Sequence, residues 1–200
     1  MSDRMVKIQT EVVDHGLCSV CGSCIGVCPT QCISVNAEVN SIEIDYNKCV
    51  SCNICGKVCP TLNTVLSVSA KENTSKYSKD IGSYEYVFRG CASDSDTRKN
   101  GASGGMVTAL CKFFLNEGFA DRIVCAGFSD KNGFYRIVDK AEDLMTSQKS
   151  FYIPIPIGAA MKRMKNSGLR YVVVGTPCQL QGFSRAIEGG LLTRCQIVAK

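Results

Sequence analysis

Eight cysteines between residues 18 and 59 fall into two copies of one pattern. The first runs Cys18-x2-Cys21-x2-Cys24-x3-Cys28-Pro29, the second Cys49-x2-Cys52-x2-Cys55-x3-Cys59-Pro60. The two copies keep a constant offset of thirty-one residues, so the segment is an internal duplication. Three cysteines at two-residue gaps let a tight loop turn three sulfurs, and its own backbone N–H groups, toward one centre. The x3-Cys-Pro end carries the last thiol away toward the other loop. Each proline closes its loop, because it lacks an N–H and fixes φ.

This is the run of bacterial ferredoxins, in which the fourth cysteine of each copy ligates the other cluster. Cys18, Cys21, Cys24 and Cys59 are therefore expected to hold one [4Fe–4S] cube, and Cys49, Cys52, Cys55 and Cys28 a second. Structural zinc is the plainer reading of paired CxxC motifs. It needs four ligands and has no use for a third regularly spaced cysteine followed by x3-Cys-Pro. A disulfide framework would demand an oxidising compartment, and nothing in the sequence reads as a signal peptide. The expected setting is reducing, anaerobic and cytoplasmic.

The other cysteines do not share that role. Cys32 has Asn63 as its counterpart in the second copy, so it is read as a packing residue beside the first cluster. Cys111 and Cys125 sit in apolar periodic stretches and are read as core. Cys91, Cys178 and Cys195 stay unassigned by this pattern. His15, the single histidine, is read as a surface residue rather than a donor to the cluster.

Charge is unevenly placed: +1 over residues 1–10, −3 over 11–60 and +7 over 61–200, within a total of +5. Each oxidised cube with its four thiolates adds about −2, leaving the metal-loaded protein near neutral. With no Lys/Arg run, nucleic acid is not an expected partner. A basic second half beside an acidic cluster module suits an anionic cofactor or substrate. The longest apolar run, residues 151–161, has eleven residues and contains Pro154 and Pro156, so no membrane span is expected.

Residues 1–70 are read as an α+β ferredoxin-like module for two [4Fe–4S] clusters, with short strands at 33–35, 42–44 and 65–68. Residues 71–83 are read as a linker. Residues 84–200 alternate strands and helices, which predicts an α/β domain with a mixed or partly parallel sheet. The expected elements are strands at 84–89, 123–126, 134–138, 171–174 and 193–199, and helices at 106–117, 141–148, 159–166 and 176–187. Residues 92–102 read as a polar turn and 152–157 as extended. A last strand without a following helix suggests the N-terminal part of a longer protein.

Two features of this domain go beyond core. Gly101-Ala102-Ser103-Gly104-Gly105 leads into the helix at Met106, with Ser103 as the expected N-cap and free N–H groups that attract anions. Val174-Gly175-Thr176-Pro177-Cys178-Gln179 follows a central strand. Thr176 as N-cap, Pro177 at N1 and Gln179 at N3 make a capping box, which puts Cys178 in the first helical turn, where the dipole lowers a thiol pKa. The carboxyl end of a parallel strand is also where open α/β sheets bind ligands.

Arg98-x4-Ser103-Gly104-Gly105 with Val107-Thr108-Ala109-Leu110, then Lys149-Ser150-Phe151-Tyr152, then Gly175-Thr176-Pro177-Cys178-Gln179, resembles the beta subunit of coenzyme F420 hydrogenase/dehydrogenase. The resemblance implies an iron–sulfur flavoprotein that binds FAD and passes electrons between clusters and F420 or another small-molecule acceptor. It places Ser103, Gly104, Gly105, Lys149, Ser150, Tyr152, Gly175, Thr176, Pro177, Cys178 and Gln179 around the flavin. Redox partner proteins or further subunits of a complex are implied as well. The competing readings are a non-enzymatic ferredoxin-type carrier and an electron-transfer subunit whose catalytic half lies elsewhere.

Overall fold

The computed structural model describes residues 6–62, 76–129, 132–192 and 197–200. The first cysteine loop ends in a short helix, α1 (Ser23–Val27), and a hairpin follows, β1 (Ile33–Asn36) against β2 (Ser41–Ile44). The second loop ends in α2 (Ile54–Val58). The two loops thus repeat each other in structure, down to left-handed residues, Gly22 and Asn53, at the starts of α1 and α2. Ile33 and Ile42, on the hairpin's inner face, pack on Cys24, Cys32, Cys49 and Cys55. The strand expected at 65–68 lies outside the described residues.

Residues 76–84, read in part as linker, form a small hairpin of β3 (Lys76–Ser78) and β4 (Gly82–Tyr84). The strand expected at 84–89 therefore stops at its first residue. Beyond it Tyr86, Val87 and Phe88 are exposed, and no described strand takes up their backbone groups. The polar stretch after them contains α3 (Ser95–Asn100), which periodicity missed because only Thr97 of its six residues is buried. Its start is capped by Asp94, whose carboxylate accepts from Thr97 N–H at 2.8 Å.

A long helix, α4 (Met106–Asn116), leads to β5 (Arg122–Ser129), which turns back as β6 (Asn132–Val138). A 3-10 segment (Ala141–Ser147) and an irregular run reach a second 3-10 turn (Ile157–Ala160), then α5 (Met161–Met164) and β7 (Tyr171–Val173). Finally α6 (Pro177–Glu188) crosses over to β8 (Ile197–Ala199). The first half of the strand expected at 193–199 lies outside the described residues. The sheet order is β6-β5-β7-β8, with β5 antiparallel to β6 and parallel to β7, and β7 parallel to β8. The expected mixed sheet is present. Residues 152–156 join no ladder, as Pro154 and Pro156 lack the donors for one.

One face of the sheet is covered by the 3-10 turn at 157–160, α5 and α6, around Val124, Ile157, Met161, Met164, Tyr171, Val173 and Phe183. Val58, from the cysteine module, is fully buried in this same core. Burying a valine is worth roughly 1.5–3 kcal/mol, so the module is seated on the α/β domain rather than tethered to it. On the other face Cys111 and Cys125 pack with Ile123 and Val172, as core residues should. Helix α4 covers that face incompletely: Cys111 is its one buried residue, while Val107, Leu110 and Phe113 stay half exposed. Among the described residues no helix is long and apolar enough to cross a membrane.

Candidate functional site

Two small cavities lie inside the cysteine module. Cys18, Cys21, Cys24 and Cys59 line one, with Ile8, Val12 and Ile42. Cys28, Cys49, Cys52 and Cys55 line the other, with Val6, Ile33 and Ile44. Of the eight cysteines of the two runs, each cavity takes three from one run and the fourth from the other. The chain crosses over at α1 and α2: residues 28 and 59 follow the last helical residue of each, in extended conformation, and so leave their own loop. An apolar shell around four thiols suits an iron–sulfur cube, whose potential is set by burial and hydrogen bonds to sulfur.

Burial pushes the thiols of Cys21 and Cys24 up, helped by the charges of neighbouring cysteines, and that of Cys55 up to about 11. Cys32 lies in the second cavity, not beside the first, with Sγ 3.4 Å from Cys28 Sγ. It follows Cys28 because that residue points across to the other loop. Burial raises the Cys32 thiol to about 11. Cys28 is partly buried, which raises its thiol, but hydrogen bonds from Cys32 and Thr30 outweigh this and lower it. His15 is exposed.

A third cavity, of about 380 Å³, opens at the carboxyl end of β7, beside Cys125 and Ala126 in the middle of β5. That is within the usual range for small-molecule sites. Ser103, Lys149, Ser150, Gly175, Thr176 and Gln179 line it. Tyr152 does not: its side chain is 94% exposed. Pro177 and Cys178 sit on α6 outside the lining. Gly104 and Gly105 also lie behind the wall. A Cβ on Gly104 would come within 2.8 Å of Cys91 Cβ, and one on Gly105 would overlap the Thr97 carbonyl, so these glycines let the loop pack on Cys91 and on α3.

Ser103 is not the cap of α4. Its φ is 50°, and Gly105 holds the N-cap position at φ 74°, which a Cβ would disfavour. The capping box of α6 is as expected: Thr176 N–H donates to Gln179 Oε1 at 2.7 Å. Gln179 Nε2 in turn donates to the Ile155 carbonyl at 2.7 Å. Both ends of this buried amide are spent on the wall, making Gln179 a positioning residue. Thr176 Oγ1 lies 3.2 Å from Cys178 Sγ.

Phe151, Val174 and Thr108, which stand in the sequence motifs, also line the cavity. Sequence reasoning missed Ile153, Ile155 and Ile157, which extend the apolar wall, and Ser147 and Gln148, which supply polar groups. Phe151 is stacked on Phe128, ring centroids 5.9 Å apart at 17°. The wall is also the junction with the cysteine module. Ile155 and Ile157 face the cavity, and the next residue, Gly158, donates its N–H to the Cys21 carbonyl at 2.8 Å.

Comparison with known proteins finds matches to both parts of the chain. Residues 87–162 match the model of the coenzyme F420 hydrogenase/dehydrogenase beta subunit N-terminal domain. Residues 17–63 match a 4Fe-4S dicluster domain. Over residues 87–162 the chain is similar to the F420 hydrogenase/dehydrogenase beta subunits. A coenzyme F420-dependent sulfite reductase of Methanocaldococcus jannaschii is 30% identical over 88% of this chain. A "probable ferredoxin" of Thermoplasma acidophilum is 45% identical over 18% of it. The chain spans about a quarter of the first relative's length (26%) and 54% of the second's. A chain of the F420-reducing [NiFe] hydrogenase complex of Methanosarcina barkeri is 27% identical, with a TM-score of 0.49 over 53% of this chain and 38% of its own.

Proposed function

We propose that this chain is an iron–sulfur flavoprotein oxidoreductase unit. It would pass electrons between two [4Fe–4S] clusters and FAD, with F420 or another small molecule as acceptor or donor. The observation that carries this reading is the junction at 155–158. One short segment forms the wall of a ligand-sized cavity through Ile155 and Ile157, and at Gly158 it hydrogen-bonds the loop of the first cysteine set.

In this reading Cys18, Cys21, Cys24 and Cys59 hold the cluster nearer the cavity, and Cys28, Cys49, Cys52 and Cys55 the outer one. Cys52 is exposed, which leaves the second set the side facing a redox partner protein or another subunit. Because burial keeps Cys21, Cys24 and Cys55 protonated in the bare protein, loading iron displaces protons. The apolar wall of Phe151, Ile153, Ile155 and Ile157 excludes water and suits the face of a flat ring. Lys149, Ser150 and Ser103 offer donors to its polar substituents. When bound, FAD supplies the exchange between two-electron chemistry and carriers that take one electron each.

The test is anaerobic purification followed by iron, acid-labile sulfide and released flavin per chain. About eight irons and one flavin are expected. Iron and sulfide without flavin would reduce the proposal to a ferredoxin-type carrier. Zinc without sulfide would overturn it.

A further inference from the structure

We infer that the Ser23 hydroxyl donates a hydrogen bond to the Cys21 thiolate of the inner cluster and so holds the shared electron beside the cavity. The inference rests on the cluster assignment above, with Cys18, Cys21, Cys24 and Cys59 around the inner cube. It starts from a break in the duplication. The offset of thirty-one that carries Cys21 onto Cys52 carries Ser23 onto Ile54. The inner loop thus has a hydroxyl where the outer loop has a hydrocarbon. Ser23 opens α1 and is fully buried, with its Oγ 3.5 Å from Cys21 Sγ. Packing holds it there from two sides: a Cβ on Gly182 would overlap Ser23 Oγ, and one on Gly158 would lie 2.7 Å from it. Among the described residues the hydroxyl has no other hydrogen-bond partner.

In the bare protein the Cys21 thiol is the donor of this bond. A metal-ligating sulfur carries no proton, so with iron in place the hydroxyl is the donor and the sulfur accepts. Taking up one electron carries a cube and its four thiolates from about −2 to about −3. Burial disfavours the more charged state, and the inner set is the more buried, since Cys52 of the outer set is exposed. A hydrogen bond to a ligating sulfur favours that state and raises the potential. Shut away from water, the Ser23 hydroxyl acts at low dielectric and without competition. It therefore offsets the desolvation of the inner cluster, and Ile54 gives the outer cluster no counterpart.

The experiment is an anaerobic redox titration of the intact, iron-loaded chain followed by EPR, with the two signals assigned through Cys24→Ala and Cys55→Ala. Ser23→Ala should weaken the electron affinity of the inner cluster roughly tenfold, a fall of about 59 mV in its midpoint. The outer midpoint should stay where it is, which a general loosening of the module would not allow. If Ser23→Ala does not take up both clusters, the double variant Ser23→Gly with Gly182→Ala returns a methyl group to the vacated space and should show the same fall. An inner midpoint that stays or rises, or equal falls in both clusters, would overturn the Ser23 inference and leave the cluster assignment standing. A parent chain that holds no iron and sulfide would overturn both.

Discussion

Gly158 N–H donates to the Cys21 carbonyl at 2.8 Å, and this bond crosses a junction built on glycines. A Cβ on Gly26 would overlap the Gly158 carbonyl oxygen, and one on Gly182 would overlap Ser23 Oγ and lie 2.8 Å from Ser23 Cβ. Ser23 is fully buried, so it has nowhere to retreat. Arg185 adds a bond from its guanidinium to the Cys59 carbonyl. The cysteine module thus docks through both of its loops.

Gly182→Ala should therefore cost roughly 1–3 kcal/mol through overpacking. Pairing it with Ser23→Gly, which removes the opposing atoms, should recover much of the loss. Denaturant midpoints of the two single variants and the double variant check this. Additive losses would mean that the two residues do not meet.

The two cysteine loops were legible in the sequence because a repeated tight turn ending in a short helix is a local matter of spacing. The capping box at Thr176, Pro177 and Gln179 was legible for the same reason. Gln179's second bond, to the Ile155 carbonyl, joins residues 24 positions apart and leaves no local trace. Ser103 failed as a cap because α4 starts at Met106, which gives the N-cap position to Gly105, held where Gly104 packs on Cys91 and Gly105 on Thr97. Gln148 carries no motif at all. Its place in the lining is held by a bond to the Thr97 carbonyl, fifty-one residues earlier.

Thiol reactivity should divide the cysteines outside the two runs. Burial raises the Cys111 thiol to about 12, with Cys125 adding to the effect, and burial raises Cys125 as well. Cys91 is exposed. With clusters intact, iodoacetamide at pH 8 should label Cys91 first and leave Cys111 and Cys125 unlabelled until the chain unfolds. Peptide mass spectrometry reads the order. Early labelling of Cys111 would contradict the packing of α4 on β5.

Asp121 ties the start of β5 to the start of β7. Its carboxylate accepts from Arg170 Nη2 at 2.8 Å and from Arg170 N–H at 2.7 Å. The guanidinium first, and the backbone N–H next, hold this carboxyl below its usual range. A group whose pKa is lowered on folding contributes stability above its unfolded value, about 3.9, and loses it as pH falls through the folded value. The parent chain should thus lose stability on acidification below about pH 4 more steeply than Asp121→Asn. Cluster loss in acid is common to both, so the difference in denaturant midpoint is the quantity to measure. Equal slopes would mean that the pair does not form in solution.

The crossing of Cys28 and Cys59 between loops makes the sharpest prediction about the cluster module. Cys24 and Cys59 are thirty-five residues apart in sequence but line one cavity, and Cys28 and Cys55 line the other. Cys24→Ala and Cys59→Ala should therefore remove the same cluster, each dropping iron from about eight to about four per chain. Cys28→Ala and Cys55→Ala should remove the other. Low-temperature EPR of the reduced protein should show one signal lost in the first pair and a different one lost in the second. If Cys24→Ala instead matched Cys28→Ala, each run would be holding its own cluster. The extended residues that end α1 and α2 would then have to fold back on their own loops, against the geometry seen here.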